Sequence, residues 1–204
     1  MDFSASLTIS DLWIERSDKI LCRALSYKVR AGEAVRILGE NGAGKSSLLK
    51  VIAGAMAPLE GRLYFADQDI TVDRTLLQQS MIYIGHSSGL KSTLTVEENL
   101  RCYCPKISAK TLHSALVTLG LTDHQDSYVK ALSAGQARRV ALARLWLSHK
   151  AVWLLDEPFA VLDVSGVQIL EAHIQDHLRS GGMVVFTTHQ ALSSLAHREL
   201  VLTP

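Results

Sequence analysis

A phosphate-binding loop is predicted by the stretch GENGAGKSS (39–47), in which Gly39, Gly44, Lys45 and Ser46 are spaced as G-x-x-x-x-G-K-S. Glycines allow the backbone to wrap around phosphates, and the amides at the following helix start point toward them with the helix dipole behind. We expect Lys45 to neutralise the β- and γ-phosphates of a nucleotide and the Ser46 hydroxyl to ligate magnesium. A glycine-rich turn without a ligand is the structural alternative.

Two adjacent carboxylates, Asp156 and Glu157, end the apolar stretch VWLLDEP. The carboxyl edge of an open α/β sheet is where such folds place their ligand. We expect Asp156 to hold the magnesium shell and Glu157 to polarise the attacking water as a general base. A helix N-cap role for Asp156 is the alternative, but it does not explain the pair. His189 ends the stretch MVVFTTH at the same edge, and we expect it near the γ-phosphate.

A second helix start that could bind an anion lies in LSAGQ (132–136). Ser133 and Gln136 have the spacing S-x-x-Q, which predicts a capping box at the start of an apolar helix. The small residues Ser133, Ala134 and Gly135 leave backbone amides open to an anion. Because the chain carries one phosphate loop, we expect this helix start to face ATP that is held by another copy of the chain.

The composition fits one globular domain: 204 residues, of which 48% are hydrophobic and 20% charged. Its 21 basic and 20 acidic side chains are interspersed, so there is no electrostatic reason to expect a nucleic-acid partner. The longest apolar stretches are too short to span a bilayer, and the N-terminus lacks the pattern of a secretory signal, so we expect a cytosolic location with any membrane role peripheral. The three cysteines predict neither a disulfide framework nor a zinc site.

The elements that must position these residues follow from apolar periodicity. Alternation around Leu7 and Ile9, and again from Leu25 to Val29, predicts half-buried strands, and AVRIL (34–38) predicts a buried one. The segment from about Thr95 to His149 has helical spacing, with Thr95 and Glu98 suited to a capping box. Further strands are predicted at RLYFA, MIYIG, AVWLLD and MVVFTTH, and further helices at SSLLKVIAG, ending near Gly54, and from about Ser165 to Leu178. This alternation predicts an α/β fold with a parallel sheet covered by helices.

Taken in order, GENGAGKSS, LSAGQARRVALARL, LLDEP and TTH resemble the nucleotide-binding subunits of ATP-binding cassette (ABC) transporters over nearly the whole chain. The resemblance implies the P-loop ABC ATPase fold, with a mainly parallel sheet core, an antiparallel β region and a helical subdomain. It also implies ATP and Mg²⁺ as cofactors and a head-to-tail homodimer with two ATP molecules between the subunits. The residues assigned to ATP are Gly39, Asn41, Gly42, Gly44, Lys45, Ser46, Ser47 and Arg16, and those assigned to the partner's ATP are Leu132, Ser133, Ala134, Gly135 and Gln136.

The same resemblance divides the single domain into a core, 1–86 and 150–204, and a helical subdomain, about 87–149. It places Asp163 in the loop that contacts the opposite subunit. Three positions depart from the usual pattern: Ala134 replaces a glycine, His86 replaces the glutamine expected with Ser46 and Asp156 in the magnesium set, and Arg16 replaces an aromatic residue that stacks on adenine. A guanidinium can still stack on the base.

Within the family, IGHSSGLKSTLTVEENL and LSAGQARRVALARLWL resemble the ATP-binding subunits of bacterial haem exporters in cytochrome c maturation. This implies a peripheral subunit on the cytoplasmic face of the inner membrane, bound to permease subunits of the haem exporter type through the segment around His86 to Tyr103. Its ATP use would drive haem delivery to a periplasmic chaperone. The alternatives are the ATPase of another ABC transporter, a soluble cassette protein that acts on ribosomes or DNA, and a small P-loop kinase, which would leave LSAGQ and the acidic pair unexplained.

Overall fold

The computed structural model describes residues 5–192 and 194–202 of the chain. Within these residues the backbone forms one four-stranded and one five-stranded β-sheet. The strands are β1 (Leu7–Arg16), β2 (Lys19–Val29), β3 (Ala34–Leu38), β4 (Glu60–Phe65), β5 (Gln68–Asp69), β6 (Met81–Ile84), β7 (Val152–Asp156), β8 (Met183–Thr187) and β9 (Arg198–Val201). Every strand that the apolar periodicity predicts is present, and the α/β fold class is confirmed.

The five-stranded sheet is parallel and has the strand order β6-β7-β8-β3-β9. Every residue of the neighbouring strands β7 and β8 is buried, as expected for strands covered on both faces. Parallel strands end at the same edge of the sheet. The acidic pair that follows β7 and the TTH stretch that ends β8 therefore lie side by side.

The four-stranded sheet, with the order β2-β1-β4-β5, is antiparallel, which confirms the antiparallel region implied by the resemblance. The pairing of β1 with β4 shifts register between Ser10 and Trp13. Gly61 lies opposite this irregularity with a φ of +93°, and a Cβ there would come within 2.4 Å of the Asp11 carbonyl oxygen. Only glycine therefore allows β4 to approach β1 this closely.

Six α-helices lie in the described part of the chain: α1 (Lys45–Ala53), α2 (Thr75–Ser80), α3 (Val96–Tyr103), α4 (Ala109–Thr118), α5 (Ala134–Leu147) and α6 (Val164–Arg179). Helix α1 contacts β7 and β8 and buries Leu48, Leu49 and Ile52 in the core between the two sheets. It ends at Gly54, whose left-handed conformation caps the last turn. The helix that follows the phosphate loop is thus confirmed with its expected end.

The middle of the chain is helical, as predicted. Helix α3 begins at the expected capping box, since the Thr95 hydroxyl accepts from the Glu98 amide and the Glu98 carboxylate accepts from the Thr95 amide. Helices α3, α4 and α5 share a separate apolar cluster, to which α5 contributes Val140. The other side of α5 buries Leu142 in the cluster that includes β7 and β8. Helix α5 therefore connects the helical segment to the parallel sheet.

None of the helices in residues 5–192 and 194–202 is long and apolar enough to cross a membrane.

Stacked aromatic rings join α6 to the edge of the sheet opposite the acidic pair. His177 stacks on Trp153 with ring centroids 3.8 Å apart, and its Nε2 lies 3.1 Å from the Ala151 carbonyl oxygen. A Cβ on Gly182 would come within 2.2 Å of the same ring, so a larger residue there would displace the ring. Burial lowers the pKa of His177 from its ordinary value of 6.5 to about 4.

This lowered pKa makes stability depend on pH, because the folded protein favours neutral His177 whereas the unfolded chain binds a proton below pH 6.5. The contribution is fully present above pH 6.5 and is lost as the pH falls toward 4. After allowance for the part of the ring that solvent reaches, we expect on the order of 2 kcal/mol. Urea unfolding of His177→Phe, which keeps a ring for stacking, should depend less on pH in this range than the wild type. His113→Phe, at an exposed position of α4, is the control, and equal pH dependence in all three proteins would contradict the prediction.

Candidate active site

A cavity of about 470 Å³ lies at the carboxyl edge of the parallel sheet. The phosphate loop and the start of α1 line one side of it, through Asn41, Gly42, Gly44, Lys45, Ser46 and Ser47. The other predicted residues that line it are Arg16, His86, Asp156, Glu157 and His189. The fold thus brings five separate segments of the chain to one cavity, although the sequence separates the loop from the acidic pair by more than half its length.

The phosphate loop is held open by glycines and by its own lysine. Gly42 and Gly44 have φ values of +84° and +98°, a conformation that favours glycine. A Cβ on Gly44 would also lie 2.9 Å from the Leu21 side chain, a cavity residue that the sequence analysis missed. The Lys45 ammonium donates to the carbonyl oxygens of Gly39 (2.7 Å) and of Glu40 (3.0 Å). The loop and its one lysine therefore line the cavity together.

Asp156 is bound on one oxygen by two hydroxyl groups. Its Oδ1 accepts a hydrogen bond from Ser46 Oγ at 3.0 Å and another from Thr187 Oγ1 at 2.8 Å. Asp156 is the last residue of β7, and the next helix, α6, is capped by Asp163, so the N-cap alternative for Asp156 is wrong. The arrangement is a cluster of hydroxyl and carboxylate oxygens at the start of α1.

Glu157 has a backbone conformation that is uncommon for a residue with a side chain, with φ at +50°. Its amide donates to Thr187 Oγ1 at 2.8 Å, and its Oε2 accepts from the His189 amide at 3.2 Å. The His189 imidazole Nε2 lies 3.5 Å from Glu157 Oε1. The two residues predicted to be catalytic are therefore in contact, with the carboxylate at the cavity wall, where it could accept a proton from water.

The second helix start has the predicted capping box. The Gln136 amide donates to Ser133 Oγ at 3.2 Å, and the Ser133 amide donates to Gln136 Oε1 at 2.9 Å. Ser133 and Ala134 are exposed, and no residue of LSAGQ (132–136) lines the cavity. Gly135 lies against the following loop, since a Cβ there would be 3.0 Å from the Val161 carbonyl oxygen. Within one chain, this helix start is thus separate from the phosphate loop and open to solvent.

Asp163 caps α6 and also binds α5. Its Oδ1 accepts from the Gly166 amide at 3.0 Å and from Arg139 Nη2 at 2.5 Å. The backbone at Val161 is left-handed, with φ at +57°, and its side chain is 62% exposed. A β-branched residue rarely adopts this conformation, so the loop from Val161 to Asp163 projects an apolar side chain at the expense of backbone strain.

Two functional candidates, Thr187 and Arg138, were missed by sequence reasoning. Thr187 lies at the end of the neighbouring strand and forms hydrogen bonds with both Asp156 and Glu157. The sequence feature that could have indicated it is its place in TTH, two residues before His189. Arg138 is 5% exposed and binds backbone carbonyls at the acidic pair. The sequence feature that could have indicated Arg138 is a charged residue on the apolar face of α5, which also carries Leu142 and Leu145.

A second cavity, of about 630 Å³, adjoins the first and shares His86 with it. Arg144 lies over the Tyr103 ring at 3.8 Å and donates to the Tyr83 carbonyl oxygen. The Tyr103 hydroxyl donates to the Gly89 carbonyl oxygen at 2.5 Å. Arg16, Ser46 and Asp156 also line both cavities, so the second continues from the first along the stretch that follows β6 to Tyr103 and Arg144.

Known proteins share both this fold and these motifs. Residues 22–160 match the family described as ABC transporter. A bacterial Atm1-family ABC exporter, solved with ATP bound, superposes with a TM-score of 0.86 at 26% identity, over 98% of this chain and 37% of that one. An ABC transporter ATP-binding protein from Pyrococcus furiosus superposes with a TM-score of 0.83 at 24% identity, over 97% of both chains. The chain belongs to the ABC transporter family, as one of its ATP-binding and ATP-hydrolysing subunits.

More similar relatives come from enterobacteria. The chain is 45% identical over 199 residues to the cytochrome c biogenesis ATP-binding export protein CcmA of Salmonella typhi, covering 97% of each. It is 43% identical to a protein with the same description from Yersinia pestis, covering 94% of this chain and 89% of that protein. Both likenesses extend well beyond the nucleotide motifs. ABC ATPase subunits work together with membrane permease partners, and this chain is of that class.

Proposed function

We propose that this chain is the ATP-binding subunit of a cytochrome c biogenesis export complex, in which ATP hydrolysis drives haem export or delivery to a periplasmic haem chaperone. The observation that carries the proposal is the 45% identity, over 97% of the chain, to proteins described as cytochrome c biogenesis ATP-binding export proteins. The haem component also rests on the resemblance of the stretches from Ile84 to Leu100 and from Leu132 to Leu147. We propose the cytoplasmic face of the bacterial inner membrane as its location.

In this proposal the phosphate loop binds the triphosphate through its backbone amides, and Lys45 neutralises charge on the β- and γ-phosphates. Glu157 accepts a proton from the attacking water, and His189 supports that step through its two contacts with the carboxylate. Thr187 holds the Glu157 amide. Arg16, at the cavity wall, stacks its guanidinium on the adenine ring.

Magnesium fits the oxygen cluster at Asp156. Mg²⁺ prefers carboxylate and hydroxyl oxygens and retains several waters, and Ser46 Oγ already lies 3.0 Å from Asp156 Oδ1. We propose that Ser46 and Asp156 would hold the ion, with the His86 imidazole at the same cavity as the third group of the set. When bound, the ion would stabilise charge that develops on the transferred phosphoryl group.

We propose a head-to-tail homodimer in which LSAGQ (132–136) of one subunit closes on the ATP of the other. The exposure of Ser133 and Ala134, and their separation from the cavity of their own chain, support this arrangement. Asp163 would lie at the same contact, where the exposed Val161 side chain offers apolar surface to the partner.

The dimer predicts that Ser133→Arg blocks ATP-driven association but leaves ATP binding by the monomer unchanged, because the larger side chain occupies the partner's γ-phosphate position. Light scattering with ATP, in the Glu157→Gln background to prevent turnover, would measure the association. Ser114→Arg, at an exposed position of α4, is the matched control. Normal dimerisation of Ser133→Arg would contradict the arrangement.

We further propose that about residues 87–149 form a helical subdomain and that membrane permease subunits of the haem exporter type dock there. The groove beside His86 and Tyr103 suits this role, because a partner bound in it would lie next to the nucleotide cavity. Its two arginines and two tyrosines are of residue types that are enriched at protein interfaces.

Affinity purification of the tagged chain from detergent-solubilised native membranes, followed by mass spectrometry, tests the function. Recovery of cytochrome c biogenesis membrane subunits would support it. Recovery of a different permease would retain the ABC mechanism and replace the haem assignment. Recovery of the chain with ribosomes or nucleic acid, without a permease, would overturn it.

A further inference from the structure

Arg138 uses every nitrogen of its guanidinium on backbone carbonyl groups. Nη2 donates to the carbonyl oxygens of Asp156 and Glu157, both at 2.8 Å, Nη1 to that of Gly85 at 3.0 Å, and Nε to that of Pro158 at 3.4 Å. The side chain is 5% exposed and pairs with no carboxylate in the described part of the chain. One side chain of α5 thus fixes the backbone at the end of β7 and in the loop after β6.

Burial of a guanidinium costs free energy. An apolar side chain would suffice at this position if the helix face served only for packing. Leu142 and Leu145 cover the same face of α5 with apolar side chains. Burial lowers the pKa of Arg138, and the charges of Asp156 and Glu157 oppose that shift. Because an arginine side chain stays protonated in proteins, a cation is held beside the acidic pair. Because the burial of a cation at this position is costly, its presence indicates that the side chain has a role at the carbonyl groups that it binds.

One of these carbonyl groups belongs to Glu157, the residue of the acidic pair that has a strained backbone. The Glu157 backbone is left-handed, with φ at +50°. This conformation strains a residue that has a side chain, whereas a glycine would adopt it without strain. Thr187 holds its amide at 2.8 Å, and Arg138 holds its carbonyl at 2.8 Å, so both neighbouring peptide groups are fixed. The side chain that extends from this fixed backbone accepts a hydrogen bond from the His189 amide at 3.2 Å.

We propose that Arg138 is a positioning residue for ATP hydrolysis: it holds the Glu157 backbone in the conformation that directs its carboxylate at the attacking water. The proposal rests on the proposed role of Glu157 as general base. It also connects the reaction to α5 and to the loop before His86, because neither can move relative to Glu157 without breaking hydrogen bonds to Arg138.

Arg138→Met and Arg138→Lys, assembled with the native membrane partners, test this role. We expect Arg138→Met to lower kcat about a hundredfold, as a displacement of a reacting group by about 1 Å can do, with KM and the Kd for ATP unchanged. Lysine keeps the charge but lacks the planar fork, so Arg138→Lys should recover part of the rate. Arg179→Met, at an exposed position of α6, should retain wild-type kinetics.

The decisive measurement is single-turnover hydrolysis in the Glu157→Gln background. If Arg138 acts through Glu157, adding Arg138→Met to Glu157→Gln should cost little further rate, because the group that it positions is already disabled. Multiplicative losses would overturn the proposal, and so would loss of ATP binding in both Arg138 variants, which would make the residue a general support of the fold. Absence of ATP hydrolysis in the wild-type and Arg179→Met complexes would instead refute the proposed function.

Discussion

Replacing Glu157 by glutamine is expected to lower ATP turnover about a hundredfold to ten-thousandfold, because general-base catalysis contributes that much. Glutamine keeps the size and can still accept from the His189 amide, but it cannot take a proton from water. The phosphate loop is unaltered, so ATP binding should persist. Phosphate release and equilibrium binding of ATP, measured on the same preparation, would separate the two effects.

Glu60→Gln is the matched control for this variant, because Glu60 is exposed on the antiparallel sheet and its loss of charge is the same. It should retain wild-type turnover. Equal turnover of Glu157→Gln and Glu60→Gln, with Lys45→Ala inactive to exclude a contaminating ATPase, would remove Glu157 from the mechanism.

Replacing Lys45 by alanine is expected to abolish both ATP binding and turnover. The ammonium lies over the phosphate loop, bound to the carbonyl oxygens of Gly39 and Glu40, and it is the cation of that loop. A hydrogen bond to a charged group contributes about 1.5–3 kcal/mol, so the loss of contacts to two phosphates should weaken binding more than about a hundredfold. Isothermal titration with ATP measures it directly.

Lys110→Ala, at an exposed position of α4, is the control for the loss of a lysine. It should bind ATP as the wild type does, and circular dichroism should show equal helix content for both variants. Tight ATP binding by a folded Lys45→Ala protein would contradict the phosphate role of this loop and, with it, the assignment of the cavity.

Local patterns in the sequence predicted most elements of the fold, because the signals for them lie within a few residues of each other. The capping boxes at Thr95 and Ser133 each depend on two side chains three residues apart, and both are present. The end of α1 at Gly54 follows from one left-handed glycine. The parallel strands β7 and β8 were evident as short apolar stretches, since burial on both faces requires apolar side chains throughout.

Contacts between distant residues could not be predicted in this way. Thr187 is separated from Asp156 by the whole of α6, and only the alignment of β7 with β8 places its hydroxyl between the carboxylate and the Glu157 amide. Arg138 was visible in the sequence only as a charge on an apolar helix face. Its proposed role depends on backbone carbonyl groups. Every residue has such a group, so the residue types of its partners could not indicate the contact.

The sequence by itself determined the phosphate loop, the acidic pair and the second helix start, because each is a contiguous motif whose residue types carry the chemistry. The tertiary structure decided how they meet. It placed Ser46, Asp156 and Thr187 in one hydrogen-bonded cluster and left the start of α5 outside the cavity of its own chain. It also fixed the left-handed Glu157 between Thr187 and Arg138. The physical reason is that strand order and helix packing set these distances, and both are properties of the whole core.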